Sequence, residues 1–315
     1  MPKKLFMSLL CLTILFSLCA CGEKGLVETV KQSFEYPYEV TISTLEASVL
    51  EKPERVVSLS PSLTEIAFSL GVGDRLVGVS DFCDYPEQTE ALQHIGTIQN
   101  PNLAAIKELN PQIVLCSASP IESDLIALQQ MGALVVIIPR ATNLDGVYPI
   151  YDAVGCIFNG KSEGLKTASA IYTPYKEKLN AINAAVQGKT PPNAVYLTEN
   201  LITMATGDTF ESNLLTFLGI SNLAASNTDW TYPKDKLSEL KPEVILYDAS
   251  NIKPKDLAEA DGYKDSTAIK DNAVYEINST AVARQGIRMF KELLNISDLV
   301  NPGIVPVKTP TETKK

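Results

Sequence analysis

Tyr85, Arg140, Trp230, Arg284 and Arg288 carry most of the chemistry that this 315-residue chain offers. Tyr85 sits inside Asp84-Tyr85-Pro86, and Trp230, the only tryptophan, lies between Asp229 and Thr231 in a polar stretch. A large ring in such a place either walls a binding cleft or plugs a core, and both readings are open for each residue. Arg140 directly follows the apolar run 135–139, where a guanidinium binds a carboxylate, phosphate or propionate, or else makes a surface ion pair. Arg284 has the same standing, and Arg288, one helical turn later, reads as a salt-bridged or solvent-facing side chain. Catalysis finds little support. No Gly-x-Ser-x-Gly elbow occurs, and His94, the only histidine, is the one imidazole that could act as a base. Cys83, Cys116 and Cys156 are widely spaced with no Cys-x-x-Cys, which indicates neither zinc nor a disulfide framework. They read as buried free thiols, or as one pair plus one free thiol. Gly71-Val-Gly73 ends a helix instead of linking strand to helix, so it is not a dinucleotide fingerprint. The expectation is a binding protein, not an enzyme, with no cofactor; a metal-chelating or hydrolytic enzyme would need acids and bases that converge in space.

Two features of the ends bear on where these residues work. Lys3 and Lys4 precede an apolar run, residues 5–20, that is too short for a comfortable bilayer span and reads as an export signal. Leu18-Cys19-Ala20-Cys21 resembles a lipobox, which makes Cys21 the expected lipidated residue; plain cleavage after Ala20 is the alternative. Removing residues 1–20 takes away Lys3 and Lys4 and no acid, so the net charge goes from −10 to −12. Such an acidic protein lacks the basic surface that nucleic acid requires.

The elements that must position the cleft residues follow from hydrophobic patterning. Residues 21–52 are polar and read as a tether with one edge strand at 38–44, and 301–315 as a flexible tail. From residue 55 short apolar runs alternate with helical segments: strands at 55–60, 76–80, 113–117 and 133–139, and helices at 61–70, 103–109 and 121–131. Ser62 and Glu65 have the spacing of a capping box. Residues 160–188 read as one long helix containing Pro174. The alternation then restarts, with strands at 194–198, 202–205, 244–247 and 274–277 and helices at 210–218, 236–240 and 286–294. Val-, Ile- and Leu-rich strands without polar alternation indicate parallel sheets covered on both faces. The expected fold is α/β: two Rossmann-like lobes with central parallel sheets (53–159 and 189–300) bridged by one long α-helix (160–188).

Over residues 53–296 the chain resembles the class III periplasmic binding proteins of ABC importers, which receive vitamin B12, haem and ferric siderophores. The marks are Arg55-Val-Val-Ser-Leu-Ser-Pro-Ser-Leu-Thr-Glu65, Val77-Gly-Val-Ser80 leading into Asp84-Tyr85-Pro86, Ile95-Gly-Thr97 before Asn102-Leu103, and Leu109-Asn-Pro-Gln-Ile-Val114. The resemblance implies a small-molecule ligand, a corrinoid or an iron complex, held between the lobes. It implies contacts from Ser80, Phe82, Tyr85, Gln99, Arg140, Met204, Trp230 and Arg284. Where the vitamin B12-binding members carry further aromatic residues, this chain has Ile98, Thr198, Met204 and Ala281, which leaves fewer flat side chains for a macrocycle. It also implies permease and ATPase subunits as partners, with docking on the permease through Glu122 and Asp235, whose bland reading is an acid at a helix N-terminus. The protein is expected to be a monomer, lipid-anchored on the extracytoplasmic face of the cell membrane.

Overall fold

A computed structural model describes residues 35–304. The expected signal segment, Cys21 and the tail beyond 304 lie outside the described residues. The chain enters through a small antiparallel hairpin, β1 (Tyr38–Glu39) with β2 (Ser48–Val49), rather than through one edge strand. Buried Tyr36, Val40, Ala47 and Val49 seat it on the main core, and Thr44 N–H donates to the Ile137 carbonyl at 2.9 Å.

The first sheet has the order β5-β4-β3-β8-β9 and is parallel throughout. Its strands are β3 (Val56–Ser58), β4 (Leu76–Val79), β5 (Gln93–His94), β8 (Ile113–Cys116) and β9 (Leu134–Ile137). Every residue of β3 and β8 is buried, as expected where helices cover both faces. The covering helices are α1 (Pro61–Ser69), α2 (Leu103–Leu109) and α3 (Glu122–Gln130). A short hairpin of β6 (Gly96–Thr97) and β7 (Asn100–Pro101) leads into α2. No capping box forms at α1. Ser60 is the N-cap and accepts from Leu63 N–H, which frees Glu65 for a different role.

After β9 come two long helices, α4 (Val147–Asn159) and α5 (Lys161–Val186). Patterning missed α4: ten of its thirteen residues are buried, so its polar face is narrow, carried by Asp152 and Asn159. The 26-residue α5 is the expected long helix and runs through Pro174 without ending. The two meet backbone to backbone, since a Cβ on Gly164 would lie 2.4 Å from the Cys156 nitrogen. Their turn is made by Gly160, whose φ of +80° suits glycine.

The second sheet, β11-β10-β12-β13, is also parallel. Its members are β10 (Asn193–Leu197), β11 (Ser221–Asn222), β12 (Val244–Asp248) and β13 (Val274–Ile277). Around it lie α6 (Phe210–Phe217), α7 (Pro254–Glu259), α8 (Thr267–Lys270), α9 (Ser279–Ala283) and the terminal α10 (Ile287–Val300). The run 202–205 is not a strand; it makes only the single bridges Leu197–Met204 and Thr203–Thr231. The expected helix at 236–240 is a 3-10 turn over Lys234–Glu239.

What joins the two lobes is a helical layer with its own aromatic core. Phe290 of α10 stacks on Tyr175 of α5 at 5.5 Å between ring centroids and on Tyr148 of α4 at 6.1 Å. α10 crosses back to α1, where Arg288 donates to both carboxylate oxygens of Glu65, Nε at 3.2 Å and Nη2 at 2.5 Å. The Glu65 side chain has no solvent exposure. Burial pushes its carboxyl up from the usual range while Arg288 pulls it down. Gly286 permits the approach, because a Cβ there would come within 2.7 Å of Glu65 Oε2. Breaking a buried pair from one side costs about 3–5 kcal/mol, whereas an apolar replacement of both partners is often neutral. Arg288→Met is therefore expected to lower unfolding stability by about 3 kcal/mol, measured by chemical denaturation, and Glu65→Leu added to it to restore most of the loss.

Candidate functional site

Loops at the C-terminal ends of parallel strands form the crevice where α/β proteins hold ligands, and here they enclose a cleft of about 630 Å³. Arg140 lines it from the first lobe, three residues beyond β9. From the second lobe come Thr198 and Glu199 after β10, Asn251 after β12, Ser279 and Thr280 in α9, and Trp230 with its neighbours Asp229 and Thr231. The volume falls in the range usual for small-molecule sites.

Trp230 is held in an unusual backbone conformation. Asp229 and Trp230 have φ of +58° and +59°, left-handed values that cost about 1–2 kcal/mol each for residues other than glycine. Hydrogen bonds fix both. Trp230 N–H donates to Thr206 Oγ1 at 3.0 Å, Asp229 N–H donates to Asp208 Oδ2 at 3.0 Å, and the Thr206 hydroxyl donates to Asp208 Oδ1 at 2.6 Å. Those contacts hold the Asp208 carboxyl below the usual aspartate range. The half-buried indole packs against the main core and also lines the cleft.

The seam between the lobes runs along one side of this cleft. Arg140 Nη2 donates to the Ala283 carbonyl at 2.6 Å. Buried Gln285 pairs with the Ala141 backbone in both directions, at 2.9 and 2.8 Å. Arg284 binds Asp84 through both terminal nitrogens, at 3.1 and 3.4 Å, and approaches Glu65 at 3.8 Å. The Arg288 guanidinium lies 4.1 Å above the half-buried Tyr85 ring, a cation–π contact.

The other expected contacts are more scattered. Phe82, 60% exposed, and Gln99, exposed in the β6–β7 turn, project from the first lobe. Ser80 is 1% exposed; its N–H donates to the Ser58 carbonyl and its hydroxyl accepts from Phe82 N–H, so it shapes the loop from beneath. Met204 corrects the expectation: it is fully buried in the second lobe's core among Val195, Leu197 and Ile245. The single bridge from Met204 to Leu197 turns its side chain inward. Glu122 and Asp235 are both exposed, in the first turn of α3 and in the 3-10 turn after Pro233. Cys83, Cys116 and Cys156 are buried free thiols, the first of the two readings, and burial pushes Cys83 up to about 11 and Cys116 to about 12.

Two cleft residues escaped the sequence reading. Tyr196 on β10 is buried, and its hydroxyl has no hydrogen-bond partner among the described residues. Glu211 in the first turn of α6 is 3% exposed, and desolvation pushes its carboxyl up despite Arg140 nearby. A polar residue at an odd place in an apolar strand, and an acid two residues after the Thr209 N-cap, are the only signals they leave.

A periplasmic binding protein family model matches residues 56–281. The chain belongs to the periplasmic binding protein family. Its relatives include the ABC transporter substrate-binding lipoprotein YvrC of Bacillus subtilis, 25% identical over 280 residues, covering 84% of this chain and 86% of the relative. The vitamin B12-binding protein of Vibrio parahaemolyticus is 27% identical over 253 residues, covering 79% of this chain and 90% of the relative. Among solved structures, the periplasmic heme-binding protein RhuT from Roseiflexus superposes with a TM-score of 0.66 over 80% of this chain and 99% of its own, at 21% identity, a likeness of fold. Members of this periplasmic family bind solutes for transport, and the two-lobed α/β architecture described above is theirs.

Glu211 gives a pH test. Its raised carboxyl pKa means that its contribution to stability is complete below the ordinary glutamate value of 4.5 and is lost as pH rises through the folded-state value. Glu211→Gln is expected to raise the melting temperature at pH 7, with the gain shrinking towards pH 4; thermal denaturation across that range checks it.

Proposed function

We propose that this protein is an extracytoplasmic solute-binding lipoprotein of an ABC importer, anchored through a lipid on Cys21, which captures a corrinoid in its interlobe cleft and delivers it to permease and ATPase subunits. The observation that carries this reading is the cleft of about 630 Å³ at the strand ends, lined by a tryptophan whose backbone is held by a hydrogen bond to Thr206. Two lobes joined by a packed helical layer support capture in a largely preformed site. The vitamin B12-binding name of one relative and the lipoprotein name of another support the ligand class and the anchor. A ferric siderophore or haem is the rival ligand within the family. The reading is of binding without turnover, by a monomer. Glu122 and Asp235, one exposed acid from each lobe, suit docking on basic pockets of the permease.

Titrating the mature protein with cobinamide, cyanocobalamin, haemin and a ferric catecholate, followed by Trp230 fluorescence, tests the ligand; silence with both corrinoids removes it. Tyr85→Ala and Trp230→Ala are each expected to weaken ligand binding by about 1–3 kcal/mol, as aromatic hot spots do, without loss of folding by circular dichroism. Glu122→Ala is expected to leave binding intact and reduce uptake in cells, and unchanged uptake would undo the docking role.

A further inference from the structure

The charge of the cleft separates the ligands that its size admits. Glu199, Asp229 and Glu211 line it, against Arg140 as the one cation. Among the described residues none of these three acids is in a salt bridge; Glu211 is buried beside Arg140, so the uncancelled charge of the lining is that of the exposed Glu199 and Asp229. Arg140 already donates to the Ala283 carbonyl. The other two arginines at the seam are also engaged, Arg284 with Asp84 and Arg288 with both oxygens of Glu65. A carboxylate or catecholate entering here would face the like charges of Glu199 and Asp229, with Arg140 as the one cation to receive it. Juxtaposed like charges of this kind are how a site rejects a ligand of the wrong class.

We infer that the cleft selects its guest by charge, admitting a neutral or positively charged macrocyclic ligand and excluding anionic ones. The inference rests on the corrinoid reading and narrows it. Haem carries two propionates and ferric catecholates are polyanions, whereas a corrinoid rim carries neutral carboxamides around a ring whose charge is set by the axial ligands of its metal. A carboxamide N–H₂ finds acceptors in Glu199, Asp229 and Glu211, and its carbonyl finds a donor in Arg140. The lining of Thr198, Thr203 and Asn251 adds uncharged donors and acceptors of the same kind.

The axial ligands allow charge to be varied on one ring. Aquocyanocobinamide carries one positive charge, and dicyanocobinamide, maintained with excess cyanide, is neutral. At low ionic strength the protein is expected to bind the cation about three- to ten-fold more tightly than the neutral form, the scale of one or two partly exposed charge contacts. Added salt should narrow that ratio. The double variant Glu199→Gln with Asp229→Asn should narrow it at low salt; Asn tolerates the left-handed backbone at position 229. Haemin should bind more weakly than either corrinoid. Equal affinities for the two cobinamides, or a ratio untouched by the double variant, would overturn the charge selection and leave the corrinoid function standing. Binding of haemin or a ferric catecholate with silence towards both cobinamides would overturn the two together.

Discussion

One carboxylate holds the arrangement together. Glu65 is on the first helix of the first lobe, has no contact with water, and is met by an arginine from the last helix of the chain. Burying that carboxylate is unfavourable unless a cation arrives with matched geometry, so the N-terminal lobe reaches its lowest free energy only when α10 has crossed the molecule and docked. The same guanidinium covers one face of Tyr85, and the neighbouring Arg284 holds Asp84. The loop after β4 therefore takes its position from a helix more than two hundred residues away in sequence.

Around this pair the lobes are joined by contacts of different character. The aromatic layer of Tyr148, Tyr151, Tyr172, Tyr175 and Phe290 packs ring against ring. The Gln285–Ala141 amide pair is directional, and the Gly155–Gly164 contact leaves no space for a side chain. Together they fix the distance between the strand ends from which the cleft is built. Electrostatics then divides the interface by function: the cations at the seam are used in holding the lobes, and the acids on the cleft lining are left facing the space between them.

Much of the scaffold was legible because parallel strands and amphipathic helices write strong patterns. The strand 274–277 and the helix 103–109 have the expected limits, and the long helix was readable from its Ala- and Lys-rich period. Helix α4 was overlooked because burial of ten of its thirteen residues leaves only a narrow polar face, at Asp152 and Asn159, to mark its period. Of the expected ligand contacts, Arg140 and Trp230 line the cleft, while Met204 is turned into the core by one backbone bridge that no local pattern records. Glu65 looked like part of a helix cap because spacing within a helix says nothing about a partner 223 positions later. Tyr196 and Glu211 were missed for the same reason: their significance lies in what surrounds them in space.

The paired left-handed residues at Asp229 and Trp230 bear on how a guest would leave. With the backbone at Asp229 and Trp230 held by the Thr206 and Asp208 hydrogen bonds, the main chain that carries the indole is already ordered in the empty protein, so a ligand has less to order when it arrives. The converse is that the wall has little freedom to regain on release. Emptying such a receptor then depends on an outside agent prising the lobes apart, which makes the seam, and not the indole, the mechanical point on which a transporter would have to act.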